Sequence, residues 1–210
     1  MDRLASHKVT KDIVSKYGFR FTKSLGQNFL IDEGVLQKIV DAGDITKDDV
    51  VIEIGPGIGT LTKELSLRAK KVVSIEIDRQ LEEIHHETLP YANLKLIYAD
   101  FMKVDLTALF NENFKNENVK VVANIPYYIT TPIVMRLLEE KLPLDSITVM
   151  VQKEVANRFS SPPGSKDYGA ITAVIQYYAD PKLAFIVPKT VFIPQPKVDS
   201  AVIVMELHKE

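Results

Sequence analysis

The feature that most constrains this chain is a five-residue run, Val50 to Ile54 (VVIEI), ending in a turn with glycines at alternate positions, Gly55, Gly57 and Gly59. A run so rich in β-branched residues suits a strand buried on both faces. Glycines in the turn allow positive φ and let backbone come close to a ligand. Helical spacing begins at once, at Leu61, Leu65 and Ala69. Strand, glycine turn and helix together form the opening unit of an alternating α/β chain. The alternation continues with strands predicted at 71–77, 94–98, 120–123 and 147–151. Between them lie helical patterns at Leu81, Ile84 and Leu89, at 106–114, and at 131–140, where Pro132 suits a first turn. Residues 170–178 read as a helix, although their β-branched content leaves strand open. Two late alternating runs, 183–187 and 201–207, flank a connector carrying Pro188, Pro194 and Pro196. The expected fold is α/β: a mostly parallel sheet with helices on both faces.

Composition narrows the function classes. At 210 residues, one domain with a sizeable core is expected. Lys and Arg number 26 against 28 Asp and Glu, so the chain is not a uniformly basic nucleic-acid binder, though a local basic patch is still possible. There is no Cys, which excludes disulfides, a thiolate zinc site and a cysteine nucleophile. No apolar run has the roughly 18 residues needed to span a bilayer, and the charged N-terminus does not resemble a signal peptide. A soluble, cytoplasmic protein with no membrane association is the expectation.

Ligands of such sheets bind beyond the carboxyl ends of the strands, so each strand end can be read in turn. Glu53 precedes the glycine turn. It can receive a ligand ammonium, directly or through water, or it is a partly buried carboxylate satisfied by backbone amides. The glycine spacing is GxGxG rather than GxGxxG, which favours a nucleoside-type ligand over a dinucleotide pyrophosphate. Glu76, with Ile77 beside it, ends the second strand about 20 residues on, where an acidic side chain can accept both hydroxyls of a ribose. Asp100 ends the third strand and can accept from an adenine amino group, with Phe101 or Met102 flanking the ring. Amino acid, ribose and base in this order outline S-adenosylmethionine.

The fourth strand ends in Asn124-Ile125-Pro126-Tyr127. The exocyclic amine of a nucleobase is a poor nucleophile because its lone pair is delocalised into the ring. The Asn124 amide oxygen and the Ile125 carbonyl can accept its two hydrogens and favour a tetrahedral nitrogen. Pro126 stiffens the loop, and Tyr127 offers a stacking face.

These motifs resemble those of the bacterial 16S ribosomal RNA adenine N6-dimethyltransferases, from about Tyr17 to the end. The resemblance is carried by SLGQNFL at 24–30, EIGPGIG at 53–59, Glu76, Asp100, NIPY at 124–127 and VFIPQPKVDSA at 191–201. It implies a Rossmann-like methyltransferase with a seven-stranded sheet whose last strand is antiparallel. It implies that Gln27, Asn28 and Leu30 close over the methionine end of S-adenosylmethionine, that Gly55, Gly57 and Gly59 contact it, and that Glu76 and Asp100 hold ribose and adenine. Asn124 would touch both cofactor and target, with Tyr127 and Phe192 sandwiching the target adenine. The implied reaction is direct methyl transfer to N6, twice on each of two adjacent adenosines in a 16S rRNA hairpin loop, with S-adenosylhomocysteine as product. No metal is implied. The implied partner is 16S rRNA in the immature small subunit, bound by a monomer.

In the second place of the tetrapeptide this group often carries Leu. Ile there also occurs in the 23S rRNA resistance methylases, which stay as an alternative beside a DNA adenine methyltransferase and a largely non-catalytic assembly factor. The resemblance also implies a helical C-terminal domain beyond the last strand, which a chain ending at Glu210 is expected to lack. The expected division is a basic arm over 1–25 and a catalytic domain over 26–210. The arm carries Arg3, Lys8, Lys11, Lys16, Arg20 and Lys23 among Tyr17, Phe19 and Phe21. Phosphate contact with base stacking, and a solvated tail whose aromatics pack on the core, are equal readings of it. The loop Ser160–Asp167 is expected to be mobile and to border the target site. His85 and His86 are expected to face solvent.

Overall fold

In a computed structural model, which describes residues 4–115 and 117–209, seven strands form one sheet in the order β4-β3-β2-β5-β6-β9-β7. The strands are β2 (Val50–Ile54), β3 (Lys71–Glu76), β4 (Leu94–Tyr98), β5 (Val119–Asn124), β6 (Leu144–Gln152), β7 (Ala179–Val187) and β9 (Ser200–Leu207). β2 lies between β3 and β5 and pairs parallel with both, and all five of its residues are buried. Both of its faces are covered, which is why an apolar run rather than an alternating one occupies this place. β9 runs antiparallel to β6 and β7, as expected for the last strand.

The helices are α1 (His7–Lys16), α2 (Glu33–Ala42), α3 (Thr60–Arg68), α4 (Glu82–Thr88), α5 (Leu106–Phe114), α6 (Thr130–Glu139), α7 (Lys153–Phe159) and α8 (Ala170–Tyr178). The predicted helices at 106–114 and 170–178 are matched residue for residue. Three helices were not read from the sequence: α1, α2 and α7. Asp32 caps α2 by accepting from the Val35 N–H, and Leu36, Ile39 and Val40 form its buried stripe. α7 follows β6 without an intervening loop and is seven residues long, too short for a periodic signal.

Side chains from the two faces of β2 enter different clusters. Val50, Ile52 and Ile54 join Phe110, Phe114, Ile133 and Leu137 on the α5–α6 side. Val51 joins Leu36, Ile39, Leu61 and Leu65 on the α2–α3 side. Each fully buried aliphatic side chain here contributes on the order of 1.5–3 kcal/mol.

The N-terminal segment joins the body of the fold, and Arg3 lies outside the described residues. Leu4, Ile13 and Phe19 are buried with Phe29, Ile58, Leu81 and Ile84. Phe19 packs on Phe21 and Phe29 at centroid distances of 5.6 and 5.7 Å, and the Tyr17 hydroxyl binds Glu87. The aromatics expected to be able to stack on bases are thus held by the core, while Lys8, Lys11 and Arg20 stay exposed. Among the described residues, no helix is long and apolar enough to cross a membrane.

A second, two-stranded sheet pairs β1 (Phe29–Leu30) antiparallel with β8 (Phe192–Ile193), with Leu30 opposite Phe192. The Ile31 N–H donates to the Val191 carbonyl at 2.9 Å, and the Thr60 hydroxyl at the start of α3 donates to the Leu30 carbonyl at 3.0 Å. This small sheet draws the N-terminal strap and the late connector together over the carboxyl ends of β2 and β5.

Candidate functional site

A cleft partly open to solvent lies at those strand ends. Gln27, Asn28, Leu30, Gly55, Gly57, Glu76, Ile77, Asp100 and Phe101 line it, with Asn124, Ile125, Pro126, Tyr127 and Phe192. Residues from six separate stretches of sequence therefore meet in one place.

The glycine turn is built for close approach. Gly55 and Gly57 have φ of +72° and +58°. A Cβ on Gly55 would have no neighbour nearer than the Asn124 carbonyl oxygen at 3.9 Å, so it would stand in open space that a ligand can use. The Gly57 N–H donates to Glu76 Oε2 at 3.0 Å, and the Asp78 N–H donates to Oε1 at 2.9 Å. Each oxygen has one partner from the backbone and retains a lone pair for a ribose hydroxyl. Burial pushes the Glu76 carboxyl up to about 7.

Asp100 is oriented by its own turn, since Oδ1 accepts from the Met102 N–H at 3.0 Å. Arg136 on α6 braces that turn from behind: its guanidinium donates to the Phe101 and Val104 carbonyls and lies 5.5 Å from the Phe101 ring centre. Sequence reading passed over Arg136, whose partners are backbone carbonyls with no pattern of their own.

Asn124 Nδ2 donates to the Asn28 carbonyl at 3.4 Å, which leaves Oδ1 available as an acceptor. The Tyr127 hydroxyl is 2.6 Å from Ser200 Oγ, tying the loop after β5 to the start of β9. Gln27 accepts from the Thr22 N–H and donates to Asp78 Oδ2, both at 2.8 Å, and so links the strap to the segment after Glu76. Tyr128, Ile54 and Ile58 also line the cleft and were not singled out from the sequence.

Four expectations need correction. Glu53 does not line the cleft. Its side chain is 1% exposed, Oε2 accepts from the Ser74 hydroxyl at 2.6 Å, Oε1 has no partner, and burial raises its carboxyl to about 7. Strand alternation turns it away from the ligand side. Gly59 does not line it either. It starts α3 at φ +91°, and a Cβ there would lie 2.7 Å from Leu89, so its glycine serves packing. No residue of the loop 160–167 lines the cleft; Ser161 is tied to α7 and α8 through Asn157 and Gln176. His86 is exposed, but His85 is 1% exposed and hydrogen-bonded at both ring nitrogens, because α4 sits in a corner that buries adjacent positions. Among the described residues there is no cluster of His, Asp and Glu able to hold a metal ion.

Comparison with known proteins gives a consistent result. The family profile described as "Ribosomal RNA adenine dimethylase" matches residues 18–210. A protein of Alkaliphilus metalliredigens named "Ribosomal RNA small subunit methyltransferase A" is 56% identical, covering 100% of this chain and 74% of its own length. A Clostridioides difficile protein of the same name is 53% identical over 97% of this chain and 71% of its own. Among solved structures, a dimethyladenosine transferase from Plasmodium falciparum superposes with TM-score 0.74 at 32% identity, covering 86% of this chain and 63% of that one. The 23S rRNA methyltransferase ErmE superposes with TM-score 0.75 at 30% identity, covering 87% and 70%.

Proposed function

This chain belongs to the ribosomal RNA adenine dimethylase family, and on that premise we propose that it transfers methyl groups from S-adenosylmethionine to N6 of two adjacent adenosines in a 16S rRNA hairpin loop. The observation that carries this is the convergence in one cleft of Gly55, Gly57, Glu76 and Asp100 with Asn124, Tyr127 and Phe192. The first four fit the nucleoside of the cofactor and the last three fit a nucleobase. The substrate context is the immature small subunit, in the cytoplasm, with the protein acting as a monomer.

When bound, S-adenosylmethionine supplies a methyl group on a sulfonium, an already activated leaving group. Glu76 accepts from the ribose hydroxyls and Asp100 from the adenine amino group. Asn28 and Leu30 cover the amino-acid end. Asn124 Oδ1 and the Ile125 carbonyl accept the N6 hydrogens of the target, drawing the nitrogen lone pair out of the ring. Tyr127 and Phe192 hold the base on its two faces after it leaves the RNA stack. The proton lost from N6 passes to solvent. The contribution of the protein is orientation and electrostatics, and no strong base is needed.

The test pairs calorimetric titration of S-adenosylhomocysteine with methylation of 16S and 23S hairpin oligonucleotides and of immature small subunits. Wild type is expected to bind the ligand and to dimethylate the 16S substrate. Glu76→Ala should lose binding, and Asn124→Ala should lose turnover by at least 100-fold with cofactor affinity within a few-fold. Absence of binding by the folded wild type would refute the proposal. Preference for the 23S hairpin would reassign its target.

A further inference from the structure

We propose that His85 is a positioning residue for the ribose end of the cofactor, acting through the backbone of Gly57; this rests on the cofactor reading above. His85 makes no contact with the cleft. Its Nε2 lies 2.5 Å from the Gly57 carbonyl oxygen, and its Nδ1 lies 2.8 Å from the Tyr98 hydroxyl. A carbonyl can only accept, so Nε2 carries the proton. Nδ1 is then an acceptor, and the Tyr98 O–H must donate to it. Four groups form one directed series: Tyr98 O–H to His85, His85 N–H to the Gly57 carbonyl, and the Gly57 N–H to Glu76 Oε2 at 3.0 Å.

Gly57 is thereby held at both ends of its residue. It sits at φ +58°, one of many settings open to a glycine, and glycine loses more freedom on ordering than any other residue. His85 removes that freedom in advance, so the Gly57 N–H already points at the carboxylate when a ribose arrives. The middle of the series is buried, while Tyr98 and Gly57 are half-buried. His85 is 1% exposed, and its ring is stacked against Tyr98 with centroids 5.8 Å apart. Burial lowers the His85 pKa and pushes the Tyr98 hydroxyl up to about 12, so both groups stay neutral in the roles assigned to them.

The experiment is calorimetric titration of S-adenosylhomocysteine into wild type, His85→Leu, His85→Gln, Tyr98→Phe and the Leu/Phe double variant, with melting temperatures and steady-state kinetics for each. His85→Leu is expected to weaken binding about tenfold, with the loss in KM for the cofactor rather than in kcat. Gln can present an N–H to the Gly57 carbonyl and is expected to recover most of the affinity. Tyr98→Phe is expected to weaken binding about threefold, and the double variant no more than His85→Leu alone, because both act through one series. Affinity of His85→Leu within twofold of wild type would overturn the proposal. So would a Gln variant as weak as Leu, or losses that add in the double variant. Tyr98→Phe and His85→Gln nearly preserve volume and carry the comparison if Leu lowers stability. A folded wild type that binds no ligand would overturn the cofactor reading itself, which separates the two failures.

Discussion

Gly59→Ala separates two meanings of a glycine-rich turn. Gly59 stands at φ +91°, where an L residue carries a backbone penalty of about 1–2 kcal/mol. The added Cβ would also sit 2.7 and 2.8 Å from the two methyl carbons of Leu89, which is itself 6% exposed and has little room to move. Overpacking of that kind costs about 1–3 kcal/mol. Together the substitution should destabilise the fold by about 2–5 kcal/mol. For a domain of this size that lowers the melting temperature by roughly 4–20 °C. Affinity for S-adenosylhomocysteine, measured well below the melting transition, should change little, since Gly59 lies outside the cleft. Leu89→Ala supplies the control: in the double variant the overpacking share disappears, so the two losses should sum to more than the double variant shows. Differential scanning calorimetry and isothermal titration on the four proteins decide it. An unchanged melting temperature with lost ligand affinity would refute the packing argument and restore Gly59 as a ligand contact.

Two further predictions concern buried or bridging polar groups. The Glu53 carboxyl is raised to about 7 from 4.5, so the folded state holds its proton more tightly than the unfolded chain, and its contribution to stability falls as pH rises from about 4.5 through 7. Glu53→Gln should therefore match wild type near pH 5 and exceed it at pH 8 by up to about 3 kcal/mol, seen as diverging melting temperatures; parallel curves would refute this. Gln27→Ala breaks the bridge between Thr22 and Asp78 and should weaken S-adenosylhomocysteine about 3- to 10-fold with only a small change in melting temperature, as read by titration; unchanged affinity would remove the strap from the ligand site.

The sheet was legible in the sequence because each central strand is a short apolar run closed by a chemically distinctive residue. Val50–Ile54, Lys71–Glu76, Leu94–Tyr98 and Val119–Asn124 lie close to where the apolar pattern puts them, and Glu76, Asp100 and Asn124 end or closely follow the last three. A carboxylate's sequence position, however, does not say which face of its strand it takes. Glu53 and Glu76 both lie at strand ends beside glycine or turn residues, yet only Glu76 reaches the cleft. The spacing of the glycines was legible too, but what each glycine avoids is not. Gly55 faces open space and Gly59 faces Leu89, which is 30 positions away in the chain. His85 and Arg136 were invisible for a related reason. Both serve backbone carbonyls, and every residue has one, so no side-chain pattern announces the partnership.

The pairing of Phe29–Leu30 with Phe192–Ile193 has a consequence for traffic through the site. Two residues per strand make a ladder too short to persist unaided, and it depends on the tethers at Thr60 and Val191. Both of its strands line the cleft, one through Phe29 and Leu30 and the other through Phe192. Loosening either edge takes hydrogen-bond partners from the other. On the proposed reading, release of the spent cofactor and grip on the RNA would draw on the same few hydrogen bonds.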